Sequence, residues 1–336
     1  MKRSISLILV LALLIGIFYG VGRYISDNYN ENALNVAIIV PTTFGDKSFN
    51  DSAHRGGEAL EKEGMNVTYV ECGGEAFKQK MMDTAPNCDM VFCIGWQFWE
   101  IEDVVVEFPN VKFVWIDNTV EGPEDFPNLI NVVYSENEAS YLAGYIAAAK
   151  SQTGTIGVVG GNDDAATNNY IAGFEQGAED CNDGVDVLVS YAEGNYDDPE
   201  LGRSLALGLN GQGADIVFQI AGATGEGVFQ AAKERGFYAI GVDVDQKMEY
   251  PEYDDVILCS VTKNVSGTIK YLADKFADDE EFDGGRTMYG GLANNYVGLS
   301  YGGKNTVQLV ETDLKEEVSE LLTDIKSGYI EINSTL

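Results

Sequence analysis

The chain has 336 residues, 45% of them hydrophobic and only 7 of them proline; one hydrophobic core rarely serves so long a chain, so two lobes are expected and a long disordered tract is excluded. Its 54 acidic residues against 21 lysines and arginines give a formal charge of -33, which repels a polyanion on every approach and excludes nucleic acid as a partner. One histidine, His54, and five cysteines without a CxxC spacing offer no ordinary zinc-ligand set, and neither a metal nor another cofactor is expected.

In chain order, Lys2 and Arg3 open the sequence and the 19 residues between Arg3 and Arg23 carry no charge. That is long enough to span a bilayer. Residues 1–30 are read as an uncleaved transmembrane anchor with the body facing outward, at the cell membrane. A cleaved signal, with Gly20-Val21-Gly22 as its cleavage site, is the alternative. No cysteine follows the apolar run, which excludes attachment through a lipidated N-terminal cysteine.

From Leu34 onward, strand-length apolar runs alternate with stretches of helical period, the pattern of a mostly parallel sheet covered by helices. Strands are predicted over Asn35–Val40, Val67–Glu71, Met90–Ile94 and Lys112–Asp117, with helices over Ser52–Glu63 and Phe98–Glu107. After an extended Asn128–Tyr134, Ser135 with Glu138 three residues on reads as a capping box, and the first crossing between lobes is placed there. A second series follows, with strands over Thr155–Val159, Val185–Tyr191, Asp215–Ile220 and Tyr238–Val242, and a helix Glu200–Leu209 started by Asp198 and Pro199. Beyond Val256–Val261 come a helix over Asn264–Ala277, an acidic turn at Asp278–Asp283, a glycine-rich return (Gly284, Gly285, Gly290, Gly291) and a final helix over Leu314–Ile325. Residues 31–133 and 264–295 are assigned to lobe 1, and 134–263 and 296–336 to lobe 2. Cys93 and Cys259 sit in apolar runs and are read as core residues, whereas Cys72 and Cys88 can pair only if the fold brings them together.

Ligands of open parallel sheets gather at the carboxyl ends of strands. Five such places combine polar, aromatic and glycine residues: the loop Phe44-Gly45-Asp46-Lys47-Ser48-Phe49-Asn50-Asp51, Asp117, Tyr196 with Asp197 and Asp198, Gly222-Ala223-Thr224-Gly225, and Asp243, with Lys263 at the second crossing. Neither Gly157–Gly161 nor Gly222–Gly227 has the spacing of a dinucleotide or P-loop motif.

Over roughly Leu34–Leu299 this pattern resembles the basic membrane protein family, the PnrA-like purine-nucleoside-binding subunits of ABC importers. The stretch Gly45-Asp46-Lys47-Ser48-Phe49-Asn50 carries most of the likeness, joined by Glu138–Gly144, Gly157–Gly161, Gly222–Gly227, Gly241-Val242-Asp243, and Ser260 with Lys263. The resemblance implies a periplasmic-binding-protein type I fold, α/β, with two doubly wound lobes joined by a hinge, and a purine nucleoside or related heterocycle held between them. It further implies a monomer that serves an ABC permease and performs no catalysis. Phe49 and Tyr196 would then stack on the base, Asp46 and Asn50 would read its edge, Asp117 and Asp243 would accept ribose hydroxyls beside Lys263, and Gly222 and Gly225 would let backbone amides approach the ligand. One departure stands out: where the family commonly carries an aspartate at the end of its first strand, this chain has Val40 and Pro41, leaving Asp46 as the substitute. The alternatives are a ligand-sensing domain of a membrane signalling system, which would use the same pocket, and a nucleoside hydrolase or phosphorylase, for which no nucleophile sits beside a base. A DNA-binding repressor is disfavoured, since an apolar segment stands where a basic helix-turn-helix is needed.

Overall fold

The alternating pattern resolves into two six-stranded sheets in the computed structural model, which describes residues 33–278 and 282–335. The expected anchor or signal over residues 1–30 lies outside the described residues, as do residues 279–281 of the acidic turn. Among the described residues no helix is long and apolar enough to cross a membrane.

The first half opens with β1 (Asn35–Val40), α1 (Phe49–Lys62), β2 (Asn66–Glu71), α2 (Phe77–Thr84), β3 (Met90–Ile94), α3 (Ile101–Glu107), β4 (Lys112–Ile116) and β5 (Leu129–Tyr134). The chain then builds the second half from α4 (Glu136–Lys150), β6 (Thr155–Gly160), α5 (Ala165–Cys181), β7 (Asp186–Tyr191), α6 (Pro199–Gly211), β8 (Ile216–Ile220), α7 (Glu226–Arg235), β9 (Tyr238–Asp243), the single turn α8 (Gln246–Glu249) and β10 (Ile257–Lys263). It returns with α9 (Val265–Ala277) and β11 (Arg286–Gly290), and crosses once more to β12 (Val297–Ser300) and α10 (Thr312–Lys326). The strand orders are β11-β5-β4-β3-β1-β2 and β12-β10-β9-β8-β6-β7. All pairings are parallel except the antiparallel β10–β12 edge.

Helices cover both faces of each sheet, so the central strands read as continuous apolar runs: every residue of β3 and β5 is buried. The edge strand β2 is instead only half-buried and mixes polar residues into its sequence. Asp198 accepts the Leu201 amide at 3.1 Å with Pro199 in the first turn of α6, as expected. The helices α4 and α5 pack so closely that a Cβ at Gly173 or Gly177 would lie 2.1 or 1.9 Å from a backbone oxygen of α4.

Two local expectations are corrected. The capping box at Ser135 does not form: the Ser135 side chain makes no cap bond, and Glu138 accepts the Leu292 amide at 2.6 Å, because the chain leaving β11 runs past the helix start and offers a nearer donor. The helix predicted from Phe98 begins only at Ile101, after a 3-10 turn over Trp96–Phe98, since Phe98 is drawn into the core beneath it. All five cysteines are free thiols, with Cys93 and Cys259 in the core.

The chain passes between the halves three times, and the passages are laced together. The Ser135 amide donates to the Gly290 carbonyl at 2.8 Å, and the Asn264 amide to the Tyr296 carbonyl at 2.8 Å. Tyr134 and Thr268 add a buried hydroxyl pair at 2.8 Å. Both sheets direct their strand carboxyl ends toward the space beside this belt.

Candidate functional site

That space is a cavity between the two halves, with about 710 Å³ of atom-free space that includes open solvent at its mouth. Its wall takes residues from the ends of β1, β3, β4, β8, β9 and β10, and from the loops and helix starts that follow. Of the nine residues singled out in the sequence, Asp46, Phe49, Asn50, Asp117, Tyr196, Gly222, Asp243 and Lys263 line it; Gly225 does not. Gly225 sits against Gln219, where a Cβ would lie 1.8 Å from the side-chain oxygen, so it serves packing behind the wall.

Lys263, the last residue of β10, is 3% exposed and donates to both Asp117 oxygens at 2.9 and 2.8 Å. It also meets Glu136 at 2.7 Å. Glu136 opens α4 at the first passage, is 1% exposed, and accepts a further bond from Asn169 at 2.9 Å. Burial works against the ammonium, but the Asp117 and Glu136 carboxylates outweigh it and hold Lys263 well above the ordinary lysine range. The Phe49, Tyr134 and Tyr170 rings surround the ammonium at 5.3, 5.2 and 5.2 Å from their centroids, each a favourable cation–ring distance.

Asp243 closes β9. It accepts from Ser48 of the opposite half at 2.5 Å and from Tyr170 at 3.4 Å. Burial pushes its carboxyl above the ordinary range, against the pull of Lys263 and the Ser48 bond. Asp117 and Asp243 both adopt left-handed backbone, with φ of 71° and 65°. This is a costly conformation for a side-chain-bearing residue, and it is typical of functional strand ends.

The aromatic walls come from both halves. Phe49 is the first residue of α1 and Tyr196 precedes α6. The Tyr196 ring packs against Gly161, where a Cβ would be 2.1 Å from a ring carbon, and its hydroxyl reaches Asp164 at 3.4 Å. Gly222, at φ +57°, brings its backbone against the Tyr196 carbonyl.

The loop before α1 is organised around Asp46. Its oxygens accept the Ser48 amide at 3.0 Å, the Asn50 amide at 2.9 Å and the Asp51 amide at 3.0 Å. Burial, opposed by these donors, pushes its carboxyl up to about 6. Asn50 gives both amide hydrogens internally, to Thr42 and to the Thr43 carbonyl, each at 2.9 Å. Base reading is expected of these two side chains, which line the cleft; these bonds also shape the loop that presents Phe49.

Several wall residues escaped the sequence reading: Thr42, Trp96, Gln97, Asp164, Thr167 and Tyr170, together with Glu136 behind the wall. Trp96, Gln97 and Asp164 follow the ends of β3 and β6, so the strand-end rule that found Asp117 and Asp243 could have found them. Tyr170 and Glu136 lie within helices and carry no such signal. Among the described residues no cluster of histidine, cysteine and carboxylate side chains could hold a metal ion.

The sequence profile of the family described as "ABC transporter substrate-binding protein PnrA-like" matches residues 33–335. Basic membrane protein D of Borreliella burgdorferi is 32% identical over 323 residues, covering 93% of this chain and 89% of that protein. Among solved structures, an ABC transporter solute-binding protein from Aeropyrum pernix K1 superposes with a TM-score of 0.78 at 23% identity, covering 90% of this chain and 93% of that one. Another, from Conexibacter woesei, gives 0.72 at 22% identity, covering 90% and 100%; at such identities the likeness speaks for the fold. The match over nearly the whole body, on a two-sheet α/β frame with its cavity at the strand ends, shows that the chain belongs to the PnrA-like family of ABC transporter substrate-binding proteins.

Proposed function

We propose that the chain is the extracytoplasmic binding subunit of an ABC importer, and that a purine nucleoside or related heterocycle is held in the cleft without being chemically changed. The observation that carries this reading is that Phe49 and Tyr196, contributed by opposite halves, line one cleft together with buried carboxylates gathered around Lys263. A flat ring between two aromatic faces gains on the order of 0.5–1.5 kcal/mol per face beyond burial. The hydroxyls of a sugar would find acceptors in Asp117 and Asp243, both oriented by groups that already neutralise or hydrogen-bond them.

Charge narrows the ligand further. Asp117, Glu136 and Asp243 face a single ammonium, so a phosphate group would meet surplus negative charge in a low-dielectric space. A neutral, donor-rich ligand fits this balance; a nucleotide does not. The three laced passages act as the hinge about which lobe 1 (31–133, 264–295) and lobe 2 (134–263, 296–336) close. The closed form is presented to a membrane permease by a monomer, held at the membrane through its N-terminal segment.

A thermal-shift panel of purine and pyrimidine nucleosides, nucleotides, free bases, sugars and amino acids tests this reading. A ligand at 100 times its dissociation constant adds about 2.7 kcal/mol of stability. Stabilisation by purine nucleosides and not by their phosphates is expected; stabilisation only by sugars or amino acids would overturn the ligand, and silence across the panel would favour a sensor of another solute.

A further inference from the structure

The polar atoms of the cleft wall fall into two groups. Most have partners inside the protein: Asp117 and Lys263 hold each other, Asp243 takes Ser48 and Tyr170, Asp46 takes three amides, and Asn50 donates to Thr42 and Thr43. Two others, the Trp96 indole nitrogen and the Gln97 side-chain oxygen, are buried and have none. Among the described residues a few other buried side-chain atoms lack a partner, on Tyr69, Asn131, Ser140 and Asp245, but none of those residues lines the cavity.

A buried donor or acceptor without a partner lowers stability, and native proteins keep few of them. The neighbourhood of these two is built to hold them there. Trp115 donates to the Gly95 carbonyl at 2.8 Å and fixes the turn after β3. Gly95, at φ +110°, makes room for the Gln97 oxygen, which lies 2.5 Å from where a Cβ would be. The Trp96 nitrogen stands near the Tyr196 hydroxyl but forms no hydrogen bond of ordinary geometry with it.

Resting on the heterocycle reading above, we infer that Trp96 and Gln97 are the specificity-determining pair for the ring of the ligand. The Trp96 N–H donates to an acceptor on the ring edge, and the Gln97 oxygen accepts from the N–H beside it. The ligand must then carry an acceptor next to an N–H donor on the edge away from its sugar. In this chain the turn after β3 takes up the reading left open by Val40 and Pro41 at the end of β1 and by the three backbone amides that already occupy Asp46.

The test is calorimetric titration of wild type, Trp96→Phe and Gln97→Met with inosine and with purine riboside, which keeps the ring and sugar but lacks the oxygen and the adjacent N–H. Wild type should prefer inosine. Each variant should lose roughly three- to tenfold in inosine affinity, the worth of one hydrogen bond, while purine riboside affinity changes less than about twofold on the same scale. Retained binding of purine riboside also reports that the variants fold. Equal losses for both ligands, or no loss for either, would overturn the assignment of the pair while leaving the nucleoside reading intact. Failure of wild type to bind either nucleoside would overturn that reading, and the pair's role with it.

Discussion

Two parts of the cleft wall are built on opposite principles. Around Lys263 every charged group has a partner: Asp117, Glu136 and Asn169 form one buried network, and three rings close over the ammonium. At the turn after β3, the Trp96 nitrogen, near the Tyr196 hydroxyl, and the Gln97 oxygen are held out of water without a hydrogen bond of ordinary geometry. The satisfied part joins the two halves and sets the geometry before any ligand arrives, whereas the unsatisfied part leaves its hydrogen bonds for the ligand to complete. A receptor that must hold its shape when empty and still discriminate when filled needs both.

That contrast can be broken most directly at the lysine. Lys263→Met leaves Asp117 and Glu136 buried without a counter-charge, and chemical denaturation should show a loss of about 3–5 kcal/mol; an unchanged midpoint would mean that the carboxyls take up protons at little cost. Asp243→Asn removes a charged acceptor facing the cleft, and nucleoside affinity should fall by the roughly 1.5–3 kcal/mol of a charge-assisted hydrogen bond. Calorimetry on Ser48→Ala beside it separates the ligand bond from the link between halves, since Ser48 touches Asp243 from the opposite side. If Ser48→Ala costs as much affinity as Asp243→Asn, closure rather than ligand contact is the main role of Asp243.

Phe49→Ala should weaken purine and pyrimidine nucleosides alike, by about 1 kcal/mol beyond the area lost. A loss confined to one base would move the reading function from Trp96 and Gln97 to the stack. The last effect, seen only through pH, concerns Asp46. Burial raises its carboxyl to about 6 in the folded chain, against about 4 when unfolded, so it contributes stability below about pH 4 that is lost as the pH rises through 6. The stability of wild type relative to Asp46→Asn should therefore fall across that interval in pH-dependent thermal unfolding. A rising difference would show that the three amide donors, and not burial, govern the group.

By itself the amino-acid sequence determined the alternating order of strands and helices, because a strand buried on both faces must be a continuous apolar run and a covering helix must repeat its apolar face. It also marked Asp117, Asp243 and Lys263, since polar residues directly after such runs stand at the carboxyl edge of a sheet. Only the tertiary structure decided what those residues meet. Glu136 looks like an ordinary first-turn helix residue until α4 sets it 2.7 Å from Lys263, and Asp46 looks free until the loop folds three amides onto it. Trp96 and Gln97 read as one more aromatic and one more amide after β3. That their polar atoms lack a partner is a property of everything packed around them, and only a chain folded in three dimensions has it.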